Sequence, residues 1–177
     1  MWRHRKVSFP SHFNIRPSPD RVRETLFNWL QGDIAGRRCL EPFAGSGILS
    51  FEALSRGAAL VTLSETVPEV VSSLKAEADK LGALASNYDI RLTDGYALLK
   101  APPRLTDLVF LDPPFAEARF DELFELLSAE ERYPAHLLVY VESAAALPEP
   151  SYASFGFEPI KQKQAGRVTF ALFARCA

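Results

Sequence analysis

The chain contains 177 residues, 47% hydrophobic and 24% charged, which is enough for one compact domain but not for two ordinary ones. This composition is typical of a folded globular protein and excludes a disordered or fibrous one. No apolar run approaches the roughly 20 residues that span a bilayer, and no apolar segment follows the basic start, so we expect a cytoplasmic protein. The two cysteines form no Cys-x-x-Cys pair, so the sequence predicts no metal site.

Charge is distributed unevenly along the chain, although the net charge is only −2. Residues 1–23 contain six Lys or Arg and one acid, and residues 159–177 contain four Lys or Arg and no acid. Two basic ends on an acidic body favour local contacts with phosphate groups. Chain ends are also often charged simply because they are solvated, and charge alone does not separate these two interpretations.

The first 19 residues contain three prolines and no sustained periodicity, which predicts an irregular basic segment. A helix is expected over residues 20–31, beginning at Asp20 and ended by Gly32. Its apolar stripe contains Val22, Leu26 and Trp29, with charged residues on the other face.

From residue 37 onward, strand and helix patterns alternate. Strands are predicted at 37–41, 60–65, 89–93, 107–112 and 137–142, helices at 47–56, 68–81, 95–99 and 118–127, and a terminal hairpin at 154–162 and 167–174. Repeated strand–helix units predict a parallel sheet with helices on both faces. Five parallel strands followed by an antiparallel C-terminal hairpin resemble the Rossmann-like sheet of class I methyltransferases. We therefore expect an α/β fold in one domain that spans residues 1–177.

A glycine-containing loop follows the first predicted strand. Gly45 and Gly47 would let the backbone pass close to a ligand, and Glu41 precedes them at the end of the strand. The dinucleotide-binding fingerprint is incomplete, because Ser50 stands where its third glycine would be. An acid next to a glycine loop suits a ligand with a cationic amino-acid tail, such as S-adenosylmethionine. A tight turn without a ligand can have the same pattern.

Two further acids stand at the ends of the next strands. Glu65 ends the second strand, where a carboxylate could accept hydrogen bonds from both ribose hydroxyls of a nucleoside. Asp94 follows the third strand and could accept one from the adenine amino group. Either residue alone could be a solvated helix cap, but together with the glycine loop they predict a cofactor site.

The fourth strand runs directly into Asp112-Pro113-Pro114-Phe115, the most specific motif in the chain. The Asp112 carboxylate and the Pro113 carbonyl could each accept one N–H of an amino group, aiming its lone pair at a methyl donor. The prolines fix the backbone and donate no N–H, and Phe115 offers a ring on which a flipped-out base could stack. The motif predicts methylation of an exocyclic amino group, although a Pro-Pro turn that only ends a strand is possible.

Several segments resemble the RsmD-type 16S rRNA guanine-N2 methyltransferases over nearly the whole chain. They are Arg16-Pro17-x-x-Asp20-Arg21-Val22-Arg23-Glu24, Phe43-Ala44-Gly45-Ser46-Gly47, Asp112-Pro113-Pro114-Phe115 and Lys163-x-Ala165-Gly166-x-Val168. The resemblance implies N2-methylation of a guanine in 16S rRNA on the small ribosomal subunit, with S-adenosylmethionine as the cofactor.

The resemblance also implies roles for individual residues. Those expected to bind the cofactor are Glu41, Phe43, Gly45, Gly47, Glu65 and Asp94, and those expected to contact RNA are Arg16, Arg21, Arg23, Lys163 and Arg167. Arg21 and Glu24 could instead pair with each other. A monomer is expected. The alternatives are methylation of adenine N6 in DNA or RNA, methylation of a protein glutamine amide, and a non-catalytic role in RNA binding or ribosome assembly.

Overall fold

The structure is a computed structural model that describes residues 20–103, 105–114, 118–147 and 150–176. The predicted N-terminal segment 1–19, with Arg16, and the predicted stacking residue Phe115 lie outside the described residues.

Seven strands and six helices follow one another along the described chain. Their order is α1 (Asp20–Trp29), β1 (Arg38–Glu41), α2 (Ile48–Ser55), β2 (Leu60–Glu65), α3 (Pro68–Leu81), β3 (Tyr88–Leu92), α4 (Gly95–Lys100), β4 (Leu108–Leu111), α5 (Phe120–Ser128), β5 (Leu138–Ser143), α6 (Pro150–Ala153), β6 (Phe157–Ala165) and β7 (Val168–Arg175). The predicted alternation of strands and helices is confirmed.

The strands form one sheet in the order β3-β2-β1-β4-β5-β7-β6. The first five strands are parallel, and β7 pairs antiparallel with both β5 and β6. The predicted fold class, a Rossmann-like parallel sheet with a C-terminal antiparallel hairpin, is therefore confirmed. The chain moves outward from β1 in one direction first and then returns to place β4 on the other side of β1.

Apolar side chains cover both faces of the sheet. One buried cluster joins α1, α2 and α3 to one face, and a second joins α4 and α5 to the other. α1 contributes Val22, Leu26 and Phe27 to the first cluster, at the spacing of a buried helical stripe. Since helices lie on both faces, the central strands β1 and β4 are buried on both sides.

Most predicted boundaries differ from the structure by one to three residues, and one short helix was missed. α1 ends at Trp29 and not at residue 31, because residues 30–32 form a turn that Gly32 closes with a φ of 94°. The first hairpin strand begins at Phe157 and not at residue 154, because a turn ending at Gly156 (φ 76°) precedes it. The four-residue helix α6 was not predicted, since so short an element has no sustained periodicity.

Candidate active site

The carboxyl ends of the three central strands bring three acidic side chains close together. β1 ends at Glu41, Asp112 directly follows β4, and Glu142 is the last residue but one of β5. These three strands are neighbours in the sheet. The chain leaves β1 toward β2 and leaves β4 toward β5, so the two connections diverge here. Open α/β sheets bind their ligands where the connections diverge in this way.

The glycine loop between β1 and α2 contains two residues in a conformation that favours glycine. Gly45 has a φ of 48° and Gly47 a φ of 65°, in the left-handed region that favours glycine. A Cβ on Gly47 would lie 2.7 Å from Cδ2 of Leu74, so a side chain has no room there. The loop is also tied to the neighbouring strand, because the Ala44 N–H donates to the Ser64 carbonyl over 3.0 Å.

Glu41 is buried beneath this loop, with 3% of its surface exposed. Its Oε2 accepts a hydrogen bond from the Ser50 N–H over 3.0 Å, which ties the first turn of α2 to the end of β1. Burial raises the pKa of the Glu41 carboxyl to about 8. The donor is the backbone of Ser50, the residue at the position where a dinucleotide-binding protein would have a third glycine. Contact between Glu41 and a cofactor ammonium remains a prediction.

Glu65 lies half-buried at the end of β2 and joins two loops. Its Oε2 accepts the Gly45 N–H over 3.2 Å, and its Oε1 accepts the Thr66 N–H over 2.7 Å. The carboxylate is therefore held in place by backbone groups next to the glycine loop, as a ribose-binding acid would need to be.

Asp94 caps α4, because its side chain accepts the Ala97 N–H over 3.0 Å while remaining exposed. Asp94 is thus a helix N-cap, the alternative that the sequence left open, and its binding of adenine remains a prediction.

Gly95, which the sequence analysis did not single out, places Phe43 of the glycine loop. A Cβ on Gly95 would lie 2.4 Å from the Pro42 carbonyl oxygen and 2.6 Å from the Phe43 ring. The Phe43 ring meets the Tyr96 ring edge-on at 5.4 Å between centroids. The loop after β1 therefore packs directly against Gly95, which follows β3. In the sequence, only the presence of a glycine at the first position of a predicted helix pointed to this contact.

Asp112 and the two prolines extend from the end of β4. Asp112 is half-buried, Pro113 is buried and Pro114 is exposed. Burial first, and then the negative charge of Glu142, raise the pKa of the Asp112 carboxyl to about 8. No described residue donates a hydrogen bond to Asp112, so a donor that enters this site would find an acceptor there.

Sequence reasoning missed the functional potential of Glu142 and Tyr140 on β5. Glu142 is 2% exposed, and its Oε1 accepts a hydrogen bond from the Tyr140 hydroxyl over 2.9 Å. Burial and the charge of Glu142 raise the pKa of the Tyr140 hydroxyl, so this group remains a donor. In the sequence these residues look like part of an ordinary strand, and an acid at a strand end was the only signal.

Four of the five predicted RNA-contacting residues are described, two on α1 and two on the C-terminal hairpin. Arg21 is exposed on α1, and Arg23 forms an ion pair with Asp20 at 2.8 Å. The ion pair found on this helix is therefore a different one from the Arg21–Glu24 pair that the sequence left open. Lys163 and Arg167 are exposed on the hairpin. α1 packs on this hairpin through stacking of Trp29 on Phe170 with 5.3 Å between ring centroids, a contact that links the two basic segments.

Two other classes of site were sought in the described part of the chain. There, no three His, Cys, Asp or Glu side chains are grouped so that they could hold a metal ion. No described helix has the length and apolar character needed to cross a membrane.

The sheet order, the glycine loop and the acids at the strand ends define a class I methyltransferase. Residues 1–174 match the sequence model of the family described as Conserved hypothetical protein 95, and the chain belongs to this family.

Named relatives and solved structures agree with this assignment. The chain is 35% identical over 175 residues to ribosomal RNA small subunit methyltransferase D of Haemophilus influenzae, covering 98% of this chain and 90% of the relative. It is 37% identical over 174 residues to the protein of the same name from Escherichia coli K12, covering 98% and 86%. The solved structure of yhhF from Escherichia coli superimposes with a TM-score of 0.82 at 35% identity, covering 99% of this chain and 94% of that one.

Proposed function

We propose that this chain transfers a methyl group from S-adenosylmethionine to the N2 amino group of a guanine in 16S ribosomal RNA, on the small ribosomal subunit. The observation that carries the proposal is Asp112-Pro113-Pro114 at the end of β4, beside the glycine loop that follows the neighbouring strand β1. The names of the relatives support ribosomal RNA of the small subunit as the substrate. The guanine-N2 position follows from the resemblance of the motifs.

The chemistry of this site fits S-adenosylmethionine. Gly45 and Gly47 allow the left-handed turn that carries the chain from β1 into α2, and Glu65 is next to this loop with a carboxylate that can accept hydrogen bonds from ribose hydroxyls. Phe43 and Asp94 lie on the two loops that Gly95 brings into contact, and they form the adenine end of the site. When bound, the cofactor supplies an electrophilic methyl group on a sulfonium.

Catalysis then depends on the orientation of the guanine amino group. Its lone pair is delocalised into the ring, which makes the free amino group a poor nucleophile. Asp112 accepts one N–H and the Pro113 carbonyl the other, so the lone pair points toward the methyl group. With the cofactor bound, the sulfonium would supply the methyl group and keep the electrons of the broken S–C bond, and the N–H proton that the methylated nitrogen loses would pass to solvent or to the ionised form of Asp112.

Phe115 is assigned the role of stacking on the target base after the base has left its own stack. Pro113 and Pro114 restrict the backbone of the loop and donate no N–H of their own, which favours an acceptor at the Pro113 carbonyl.

RNA is assigned to the basic segments at the two ends of the chain. The proposed contacts to phosphate are Arg16, Arg21, Arg23, Lys163 and Arg167, and the exposure of Arg21, Lys163 and Arg167 suits that role.

Replacement of both Lys163 and Arg167 by Ala is expected to weaken RNA binding and to reduce its salt dependence by roughly two counterions. An unchanged salt slope in a filter-binding titration would remove these two residues from the interface. A cytoplasmic monomer is proposed.

The proposal is tested with small ribosomal subunits that lack the modification. Labelled methyl transfer from S-adenosylmethionine is measured, and the product nucleoside is identified by mass. N2-methylguanosine is the expected product. N6-methyladenosine would overturn the choice of base, and cofactor binding without any methyl transfer to the subunits would overturn the choice of substrate.

A further inference from the structure

Glu142 stands directly beside the proposed amino-group clamp. β4 and β5 pair in parallel with Leu111 opposite Val141, so the next positions along the two strands are Asp112 and Glu142. Each lies two residues beyond an aromatic residue, and the rings of Phe110 and Tyr140 meet edge-on on one face of the sheet, 6.4 Å apart. Because side chains alternate along a strand, both carboxyl groups are on the face of these rings.

The local environment of Glu142 is costly for a carboxyl group. It is 2% exposed, and its charge is within electrostatic reach of both Glu41 and Asp112. Carboxyl groups placed side by side repel one another when charged, and a glutamine at position 142 would remove part of that repulsion. Glu142 therefore places an acidic side chain, bonded through Oε1 to the Tyr140 hydroxyl, directly beside the clamp.

The sheet order determines on which side of the clamp the base ring lies. The glycine loop follows β1 on one side of β4, and β5 lies on the other side. The lone pair of the clamped amino group points toward the cofactor at the β1 side. The ring that carries this amino group therefore extends toward the end of β5, where Glu142 is the acidic side chain.

Guanine presents a distinctive edge at this point. Its N2 amino group is next to N1–H, a donor, whereas the N6 amino group of adenine is next to N1 without hydrogen, an acceptor. A flipped-out guanine has lost the cytosine that accepted its N1–H, and a buried donor without a partner is strongly unfavourable. The carboxyl group offers an acceptor oxygen in either protonation state.

We propose that Glu142 accepts the N1–H of the target guanine and thereby selects guanine over bases whose ring nitrogen at this position is an acceptor. This assignment rests on the proposed function, because it needs a guanine amino group in the clamp. Asp112 and Pro113 bind the reacting N2 amino group, and Glu142 binds the adjacent N1–H. The clamp alone serves guanine and adenine equally, so the specificity comes from the strand next to it.

The test compares two substrates, small subunits reconstituted with either guanine or 2-aminopurine at the target position. 2-Aminopurine keeps the amino group on C2 but has an acceptor at N1. For the natural chain, kcat/KM is expected to be roughly 10- to 100-fold higher with guanine, the range of a hydrogen bond to a charged group. In Glu142→Gln, whose amide can either accept or donate, this preference is expected to fall about tenfold. Any preference due to the missing O6 is the same in both proteins and cancels.

Two further variants separate recognition from a structural role. Glu77→Gln makes the same chemical change at another buried glutamate, on α3 and away from the clamp, and is expected to leave the preference unchanged. Tyr140→Phe removes the donor to Glu142 but keeps the carboxyl group, so most of the preference is expected to remain. This variant also provides the readout if Glu142→Gln does not fold in a thermal unfolding assay.

The outcomes distinguish the two proposals. Production of N2-methylguanosine by the natural chain together with an unchanged guanine preference in Glu142→Gln overturns the role of Glu142 and leaves the proposed function standing. A loss of preference in Tyr140→Phe as large as in Glu142→Gln also contradicts direct recognition, because it indicates that the two residues act only as a structural pair. Failure of the natural chain to make N2-methylguanosine overturns both.

Discussion

The two halves of the sheet hold their acidic side chains in different ways. We call the ends of β1, β2 and β3 the cofactor half and the ends of β4 and β5 the substrate half, after their proposed roles. In the cofactor half, backbone N–H groups donate to all three acids, Glu41, Glu65 and Asp94. In the substrate half, the Tyr140 hydroxyl donates to Glu142, and no described residue donates to Asp112. The first half is organised by the backbone, and the second leaves one acceptor for a ligand.

This difference has an energetic meaning. A carboxylate that accepts backbone N–H groups is fixed in position before any ligand binds. Burial makes the charged form of a carboxyl group unfavourable and raises the pKa of both Glu41 and Asp112 to about 8. The two halves therefore differ in their donors, and under the proposed mechanism Asp112 gains its hydrogen bond when an amino group arrives. Replacements in the two halves should change different measured quantities.

The largest effect is expected from Asp112→Ala, which removes the only side-chain acceptor of the clamp. Methyl transfer should fall roughly 10³-fold, the size found when one preorganised polar group is removed from an active site. The Kd for S-adenosylmethionine should stay within a few-fold, because Asp112 accepts no bond from the glycine loop. Single-turnover transfer and calorimetry measure the two quantities. Asp121→Ala, at an exposed position on α5, is the matched control, and near-normal turnover in Asp112→Ala would contradict the clamp.

Glu65→Ala is expected to have a smaller effect, and this effect should be on cofactor binding and not on the transfer rate. It removes the acceptor for the Gly45 and Thr66 N–H groups and the proposed acceptor for ribose. The Kd for S-adenosylmethionine should rise about 10- to 100-fold, and the transfer rate at saturating cofactor should change much less. Glu69→Ala, an exposed acid in the first turn of α3, provides the control in the same calorimetric experiment. Equal losses in Kd and rate would mean that the two halves are not separable.

The cofactor half could be predicted from the sequence because its signals are local. A strand that ends in an acid and is followed by Gly45 and Gly47 predicts both a turn and a ligand site within seven residues. The structure has the turn, with φ values of 48° and 65° at the two glycines, and the contacts to a ligand remain predictions. The double use of Asp94 as a helix cap was also foreseeable, because an acid before a predicted helix is a common N-cap.

The substrate half could be predicted only in part. Asp112-Pro113-Pro114 is a contiguous motif, so the sequence was sufficient to find it. The importance of Glu142 depends on the pairing of β4 with β5, which places residue 142 beside residue 112 although they are 30 positions apart. Single-sequence patterns contain the period of each strand but not its register with a neighbour. For the same reason, the contact of Gly95 with Phe43 could not be foreseen.

The smallest expected effect is a shift in the titration of Asp112, and it tests the comparison most directly. Burial and the charge of Glu142 raise the pKa of this carboxyl to about 8, so in the free protein it is protonated at pH 7 and ionises as the pH rises through about 8. Glu41 and the Tyr140 hydroxyl are the other titratable groups that interact with it. Carbon-13 NMR of labelled aspartate carboxyl groups can follow the titration.

In Glu142→Gln the midpoint for Asp112 should move to lower pH, because one neighbouring negative charge is gone while burial, the larger cause, remains. It should not return to the ordinary value for an aspartate. Glu77→Gln should leave the midpoint in place. An Asp112 that titrates near pH 4 in the natural chain would show that its carboxylate already has hydrogen-bond donors. The contrast between the two halves would then be lost, and the clamp would have to displace an existing partner before it could accept an amino group.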